Sequence, residues 1–226
     1  MNLPLLDVHT HKSYLDKNLF GLTCSPCNEN TPWCHGIHPW FIEKNWSCQF
    51  EKLKLQSTRQ KPLMIGEIGL DRLRGPSLDI QIEIFEKQIE LAISLNLACV
   101  IHSVKTYSEV ISLRTKYQGQ TRPWILHDFT ANQIIADSAL KSGCYLSFSP
   151  RAMRRANAKD IKLSYLKSLD LNYLFLETDE RKNEDIRDMF QWFCQLRRIS
   201  VSKLNRILWN NLEKVTGKNH EYILAK

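Results

Sequence analysis

Eight short apolar runs spread along the chain constrain its fold more than any other feature: PLLDVHT, LFGLT, WCHGIHP, LMIGEIGL, ACVIHS, PWILHDF, CYLSFSP and YLFLETD. Several stay almost continuously apolar until their last residues. That is the pattern of parallel strands covered on both faces, not of strands with one wet side. Longer amphipathic segments separate most of them. Over 77–96, Ile82, Phe85, Ile89 and Ala92 recur at helical spacing behind Ser77, which can cap the start. Segments 107–117, 132–143 and 185–198 continue the alternation, and Gly143 stands where a helix C-terminal glycine belongs. Strands alternating with helices give an α/β fold, and a (β/α)8 TIM-like barrel is its natural closure. The first third departs from the rhythm, because only 26 residues lie between His11 and His38. The first βα region is therefore expected to be shortened or distorted, one crossover helix being missing or reduced to a loop. No Ser-, Gly- or Pro-rich linker divides the sequence, so residues 1–226 read as a single domain, with an apolar fraction of 43% to build its core.

The runs share a second property that periodicity does not require: they end in a histidine or an acid. His9 and His11 close the first, two residues apart, a spacing that puts both imidazoles on one face of a strand. Glu67 falls in GEIGLD, His102 in VIHS, His127 in ILHDF and Asp179 in LETD. Half-buried charges and imidazoles are costly unless paired or bound to a metal. His102 follows Glu67 by 35 residues and His127 follows His102 by 25, about one βα unit each; Asp179 follows His127 by 52, about two. If each residue caps the C-terminal end of its strand, all six meet at one mouth of one barrel, where such barrels place their chemistry. Four histidines with Glu and Asp suit Zn, Mn or Mg. Six ligands exceed what one catalytic ion takes from protein, so the expectation is two divalent metal ions.

Charge and cysteine content narrow the setting. Lys and Arg total 31 against 24 Asp and Glu, a net charge of +7 that favours an anionic partner. The longest apolar runs are far too short to span a bilayer, and the first ten residues lack a basic start and long apolar stretch, so no membrane partner and a cytoplasmic location are expected. Seven cysteines without an export signal imply reduced thiols. Cys24, Cys27 and Cys34 with His38 could in principle form a zinc knuckle. Cys34 and His38, however, sit in what reads as a strand leading to a proline, and the favoured reading is an ordinary strand.

Taken together, DVHTH (7–11), GIHPW (36–40), GEIGLD (66–71), QIEIFEKQIELAISLNLACVIHS (81–103), HDF (127–129) and LETD (176–179) resemble the TatD family of metal-dependent deoxyribonucleases, within the amidohydrolase-like barrels. The segments occur in family order and cover most of the chain to about residue 215. The resemblance implies that His9 and His11 hold one ion with Glu67 and Asp179, that Glu67 bridges to a second completed by His102 and His127, and that Asp179 orients the attacking water. It places His38 beside the substrate phosphate. Glu67 and Asp179 would be the catalytic residues, and the reaction class is phosphodiester hydrolysis by a two-metal-activated water. The sequence also departs from the family: IHSVKT stands where many members have IHSRDA, and ERKNED follows the ETD.

If the fold is a barrel, Arg72 and Arg74 follow the strand carrying Glu67, Lys105 follows His102, and Arg151, Arg154 and Arg155 follow the seventh run. Arg72, Arg74, Lys105 and Arg154, with His38, are the expected substrate-binding residues, forming a phosphate-binding rim. The expected function is a monomeric deoxyribonuclease acting on DNA, with RNA as the other polymer substrate, trimming from an exposed end. The alternatives are a hydrolase of the same architecture acting on a small phosphoester, ester or amide, and a non-catalytic nucleic-acid-binding protein with a relict site.

Overall fold

The computed structural model describes residues 3–24, 33–157, 164–179 and 184–226. All eight apolar runs contain strands: β1 (Leu5–Thr10), β2 (Leu19–Thr23), β3 (Cys34–His35), β4 (Met64–Asp71), β5 (Ala98–Val104), β6 (Trp124–Leu126), β7 (Cys144–Phe148) and β8 (Leu174–Leu176). Strands β3 to β8 form an all-parallel sheet in chain order, and β1 and β2 form a second parallel pair. A parallel bridge between Thr10 and Asp179 joins the two at the β1–β8 seam. Eight parallel strands in sequential order with helices outside is the expected barrel; among the described residues no ladder joins β2 to β3.

The helices are α1 (Trp46–Gln60), α2 (Leu78–Leu95), α3 (Tyr107–Lys116), α4 (Gln133–Lys141), α5 (Pro150–Asn157), α6 (Ser164–Ser168), α7 (Ile186–Arg197), α8 (Val201–Thr216) and α9 (His220–Leu224). Four coincide with the amphipathic segments. Gly143 has φ +89 beyond α4, the left-handed geometry that a glycine admits without steric cost. Ser77 does stand at the N-cap of α2, but its side chain makes no cap hydrogen bond. Helix α8 lies outside the segments the alternation identifies, although it carries full boundary signals: the Ser200 hydroxyl accepts from the Lys203 amide, and Gly217 ends it at φ +67. Helix α1 was not legible from periodicity because it buries only Leu53 and Ser57.

The shortened first unit is real. Strands β1 and β2 pair in parallel through residues 11–18, which contain no helix. Tyr14 folds back over this connection. It packs against the core beside Gly21, where a Cβ would lie 2.8 Å from both Thr10 and the Tyr14 ring, and its hydroxyl reaches Asp7 Oδ2 at 2.6 Å. One aromatic ring thus covers surface that a crossover helix covers elsewhere.

Helix α8 holds the seam shut. Asn205 accepts from the Leu6 amide at 3.1 Å and donates to the carbonyls of Leu3 and Pro4, both at 3.0 Å. Asn211 donates to the carbonyls of Leu171 and Leu174 next to β8. Two asparagines on one helix therefore satisfy the ends of the first and last strands, groups that would otherwise be buried without partners. Asn205→Ala should leave the Leu6 amide and the Leu3 carbonyl without a partner, while the Pro4 carbonyl keeps the Trp209 indole N–H, and destabilise the fold by about 2–4 kcal/mol, read as a lowered denaturation midpoint at unchanged m-value.

Candidate metal centre

The strand ends bring all six sequence-identified residues, and His38, to one mouth. Strand β4 positions the central carboxylate. Its register with β5 shifts by one residue between Ile65 and Ile68, a bulge of the kind that re-aims a side chain beside a site. Glycines make the close approach feasible. A Cβ on Gly69, at φ +140, would lie 2.1 Å from the His102 carbonyl oxygen, so no other residue fits there.

Glu67, 4% exposed, presents its two oxygens to separate groups of imidazoles. Oε2 lies 3.4 Å from His9 Nε2 and 3.8 Å from His11 Nε2; Oε1 lies 2.7 Å from His127 Nε2, 2.8 Å from His102 Nδ1 and 3.1 Å from His38 Nε2. Asp179 Oδ1 is 3.6 Å from Nε2 of both His9 and His11. His9, His11 and Glu67 offer donor atoms within 4.8 Å of one another, as do His9, His127 and Asp179, and His38, Glu67 and His102.

The remaining ring nitrogens separate ligand candidates from other roles. His102 Nε2 faces Asp71 Oδ2 at 3.2 Å, and His127 Nδ1 faces Glu177 Oε1 at 3.4 Å. Each carboxylate favours a proton on the nitrogen it faces and leaves the opposite nitrogen a lone pair, the usual support of metal-binding histidines. Those two opposite nitrogens sit 3.3 Å apart, both against Glu67 Oε1. His38 is different. Its Nδ1 accepts the Trp40 amide at 3.1 Å, so the neutral ring carries its proton on Nε2 and donates into the site. Geometry alone places His38 in a possible ligand group; its tautomer makes it a hydrogen-bond donor.

Asp71 and Glu177 lie within GEIGLD and LETD, but neither is among the six strand-end residues that the sequence pattern singles out. The available signal was strand parity: Asp71 shares a face with Glu67 four residues away, and Glu177 precedes Asp179 by two. Asp7 is a further buried acid, accepting from the Thr178 amide at 3.0 Å and its hydroxyl at 2.6 Å. Burial pushes it up to about 6 against those hydrogen bonds. It ties β1 to β8 beneath His9.

Electrostatics make the cluster mutually dependent. Burial would raise the Glu67 carboxyl, but His127, His102 and His38 hold it well below the ordinary range. Burial and the His127 charge press His9 down, yet Asp179 and Glu67 raise it to about 10. His127 is likewise raised against burial by Glu67 and Glu177, whereas burial and the His9 charge lower His11 to about 4. Both ring nitrogens of fully buried His9 lack hydrogen-bond partners. An unpartnered imidazole between two ionised carboxylates, with more lone pairs than protons around it, fits a divalent cation.

The expected substrate cations spread over several environments. Arg72 pairs with Glu109 and hydrogen-bonds the Lys105 carbonyl; Arg154 pairs with Glu184; Arg74 lies over the Trp40 ring, 4.0 Å from its centroid. Lys105 is exposed at the end of β5, and Arg155 reaches the Thr130 carbonyl. Arg151, by contrast, lines the cavity over Glu67 together with Trp40 and Asp128. Its Nε is 3.1 Å from Asp128 Oδ2, and its Nη2 donates to Thr130 Oγ1 at 3.2 Å. Cys24 and Cys34 are buried thiols and join no metal-ligating group among the described residues; Cys27 lies outside them.

Residues 24–217 match the family model described as TatD related DNase. The chain belongs to that family. The match begins after β1, so DVHTH lies upstream of it, and the structure brings His9 and His11 back to the matched residues. The chain is 34% identical over 128 residues to the uncharacterized metal-dependent hydrolase YabD of Bacillus subtilis, covering 56% of this chain and 49% of that protein. It is 26% identical over 196 residues to the uncharacterized metal-dependent hydrolase YjjV of Escherichia coli, covering 78% and 73%. It is 27% identical over 179 residues to human deoxyribonuclease TATDN3, covering 73% and 63%. The matched segments span about half the length of the first two curated relatives, 49% and 46%. The crystal structure of the Escherichia coli TatD homolog YJJV superposes with a TM-score of 0.69 at 22% identity, covering 90% of this chain and 79% of that one, which shows the same barrel. No helix among the described residues is long and apolar enough to cross a membrane.

Because His9 is raised to about 10 by Asp179 and Glu67, it is protonated at pH 8, and a cation must displace that proton to reach it. Titrating Mn or Zn into chelator-stripped protein at pH 8 should release about one proton per protein, measured by calorimetry in buffers of differing ionisation enthalpy. Apparent affinity should rise with pH up to about 10, where His9 loses its proton unaided. Asp71→Asn should weaken metal binding roughly 10–100-fold by removing the acceptor that orients His102.

Proposed function

We propose that this chain is a two-metal phosphodiesterase acting on DNA, cleaving from a strand end, with RNA as a secondary polymer substrate. The observation that carries the reading is the division of Glu67, with Oε2 directed to His9 and His11 and Oε1 to His102 and His127. A carboxylate with imidazoles on both oxygens serves as a bridge between two cations. His9, His11, Glu67 and Asp179 would hold one, and Glu67, His102 and His127 the other. Relatives named as deoxyribonucleases, and one from Yersinia pseudotuberculosis named 3'-5' ssDNA/RNA exonuclease TatD, support the polymer substrate. The excess of cationic side chains agrees with it.

Bound divalent ions would supply an acidified water and charge neutralisation at phosphorus. The protein contributes positioning and proton handling. Asp179, held well below the usual carboxylate range by His9 and His127 against burial, stays ionised and can accept the proton of an attacking water. His38, kept neutral by burial and tautomerically fixed by the Trp40 amide, donates Nε2–H to a non-bridging phosphate oxygen. Trp40 itself is held by Asp71 Oδ2, which accepts from its indole N–H at 2.6 Å. The acid that orients His102 therefore also fixes the residue that sets the His38 tautomer.

Glu67→Gln replaces the shared negative charge with an amide. It should lower cleavage of labelled single-stranded DNA by at least two orders of magnitude and reduce bound metal, while far-UV circular dichroism stays native. A variant that cuts at the wild-type rate would remove the bridging assignment. Wild-type protein loaded with Mg, Mn or Zn that cuts a small phosphodiester but neither DNA nor RNA would move the reading to a small-molecule hydrolase.

A further inference from the structure

The mouth of the barrel has two unlike halves. On the β7 side stands Arg151, its guanidinium fixed by Asp128 and Thr130 and facing the cavity that holds Glu67. Asp128 is itself fixed: its amide donates to Glu177 Oε1 at 2.7 Å, and Ser149 donates to its carboxylate. The β3–β4 side is aromatic. The 3-10 turn Pro39–Phe41 places Trp40 at 4.8 Å and Phe41 at 5.7 Å from the His38 ring, centroid to centroid. Phe41 is 40% exposed, and Leu73, two residues after β4, is 66% exposed. Arg74 covers the Trp40 ring and is itself exposed.

The residues that build the aromatic half are held more firmly than a loop surface requires. Trp40 is anchored by Asp71 through its indole N–H and by His38 through its amide. Gln81 fastens the following turn, accepting from the Asp71 amide at 2.7 Å and donating to the carbonyls of Asp71, Arg74 and Pro76. Gly75, at φ +95, comes so close to Pro39 that a Cβ would lie 2.4 Å from its carbonyl oxygen, locking the β3 and β4 turns together. Flat, rigid and solvent-facing groups adjoin a phosphate-binding centre here, opposite a fixed cation.

A nucleotide unit is the ligand that uses both halves, having an anionic phosphate at one end and a flat aromatic base at the other. Resting on the phosphodiesterase reading above, we infer that Phe41 and the Arg74 guanidinium form a nucleobase-stacking subsite beside the reaction centre, and that Arg151 takes a phosphate on the opposite side. Bases stack on aromatic rings and on guanidinium planes alike, with little regard to sequence. Arg74 thus moves from the expected phosphate rim to the base side.

The test compares two fluorescein-labelled single-stranded DNA oligomers of equal length, one with all bases and one with abasic sites at the end that enters the mouth. Binding is measured by anisotropy on chelator-treated protein, so metal occupancy does not enter. Wild-type protein should prefer the base-bearing oligomer by roughly fivefold or more, the cost of losing one stacked base. In Phe41→Ala and in Arg74→Ala the ratio should fall toward one, and Phe41→Trp should restore it. Arg151→Gln should weaken both oligomers alike and flatten the salt dependence by about 0.7 of a slope unit. A wild-type ratio of one, or a ratio unchanged in both Phe41→Ala and Arg74→Ala, would overturn the subsite. That failure is separate from failure of the phosphodiesterase reading, which is judged by whether metal-loaded wild-type protein cuts the base-bearing oligomer at all.

Discussion

The structure depends on one buried carboxylate being surrounded by imidazoles. Glu67 is 4% exposed and ionised, a state that burial alone forbids and that five histidines at 2.7–3.8 Å make stable. Those histidines arrive from four strands, His9 and His11 from β1, His38 after β3, His102 from β5 and His127 after β6, so the condition cannot be met locally. It requires β1, β3, β4, β5 and β6 to present their C-terminal ends to one point. The barrel is the arrangement that does so, and its all-parallel order follows from the same demand.

Around that carboxylate the protein arranges a second layer of acids. Asp71 and Glu177 each face one imidazole from behind, and Asp7 joins β1 to β8 under His9. Removing protons from the back of each ring is not their role; they fix which nitrogen keeps its proton when a cation binds, so the front nitrogens are the ones that can offer it a lone pair. The same logic separates His38, whose Nδ1 is spent on a backbone amide and whose Nε2 is therefore a donor. Tautomers, more than distances, divide the five histidines into four metal-ligand candidates and one hydrogen-bond donor.

The seam between the first and last strands is where the fold is most economical. A connection of residues 11–18 replaces a helix, Tyr14 covers the exposed pair, and α8 supplies the missing hydrogen bonds through Asn205 and Asn211. Both ends of the metal-ligand set, His9 and Asp179, sit on this seam and are linked through the Asp179 amide and the His9 carbonyl at 3.1 Å. Stability of the α8 contacts and integrity of the site are consequently one problem.

The sequence by itself determined the strands and the six strand-end residues. Continuous apolar runs can only be covered on both faces, and a polar group at the end of such a run has to be satisfied at the open end of the sheet. Glu67, His102 and His127 were legible for that reason, as was the shortened first unit, since 26 residues cannot hold two full crossovers. What the tertiary structure decided was everything that depends on which side chains meet across strands. The spacing of Asp71 and Glu177 marks them as sharing a face with Glu67 and Asp179, but only packing shows that they stand behind His102 and His127. Charge counting put Arg72, Arg74 and Arg154 on a phosphate rim together; the fold pairs two of them with Glu109 and Glu184, lays the third on Trp40, and leaves Arg151 facing the cavity. A cation's partner is set by long side chains meeting through space, and linear sequence carries no record of those meetings.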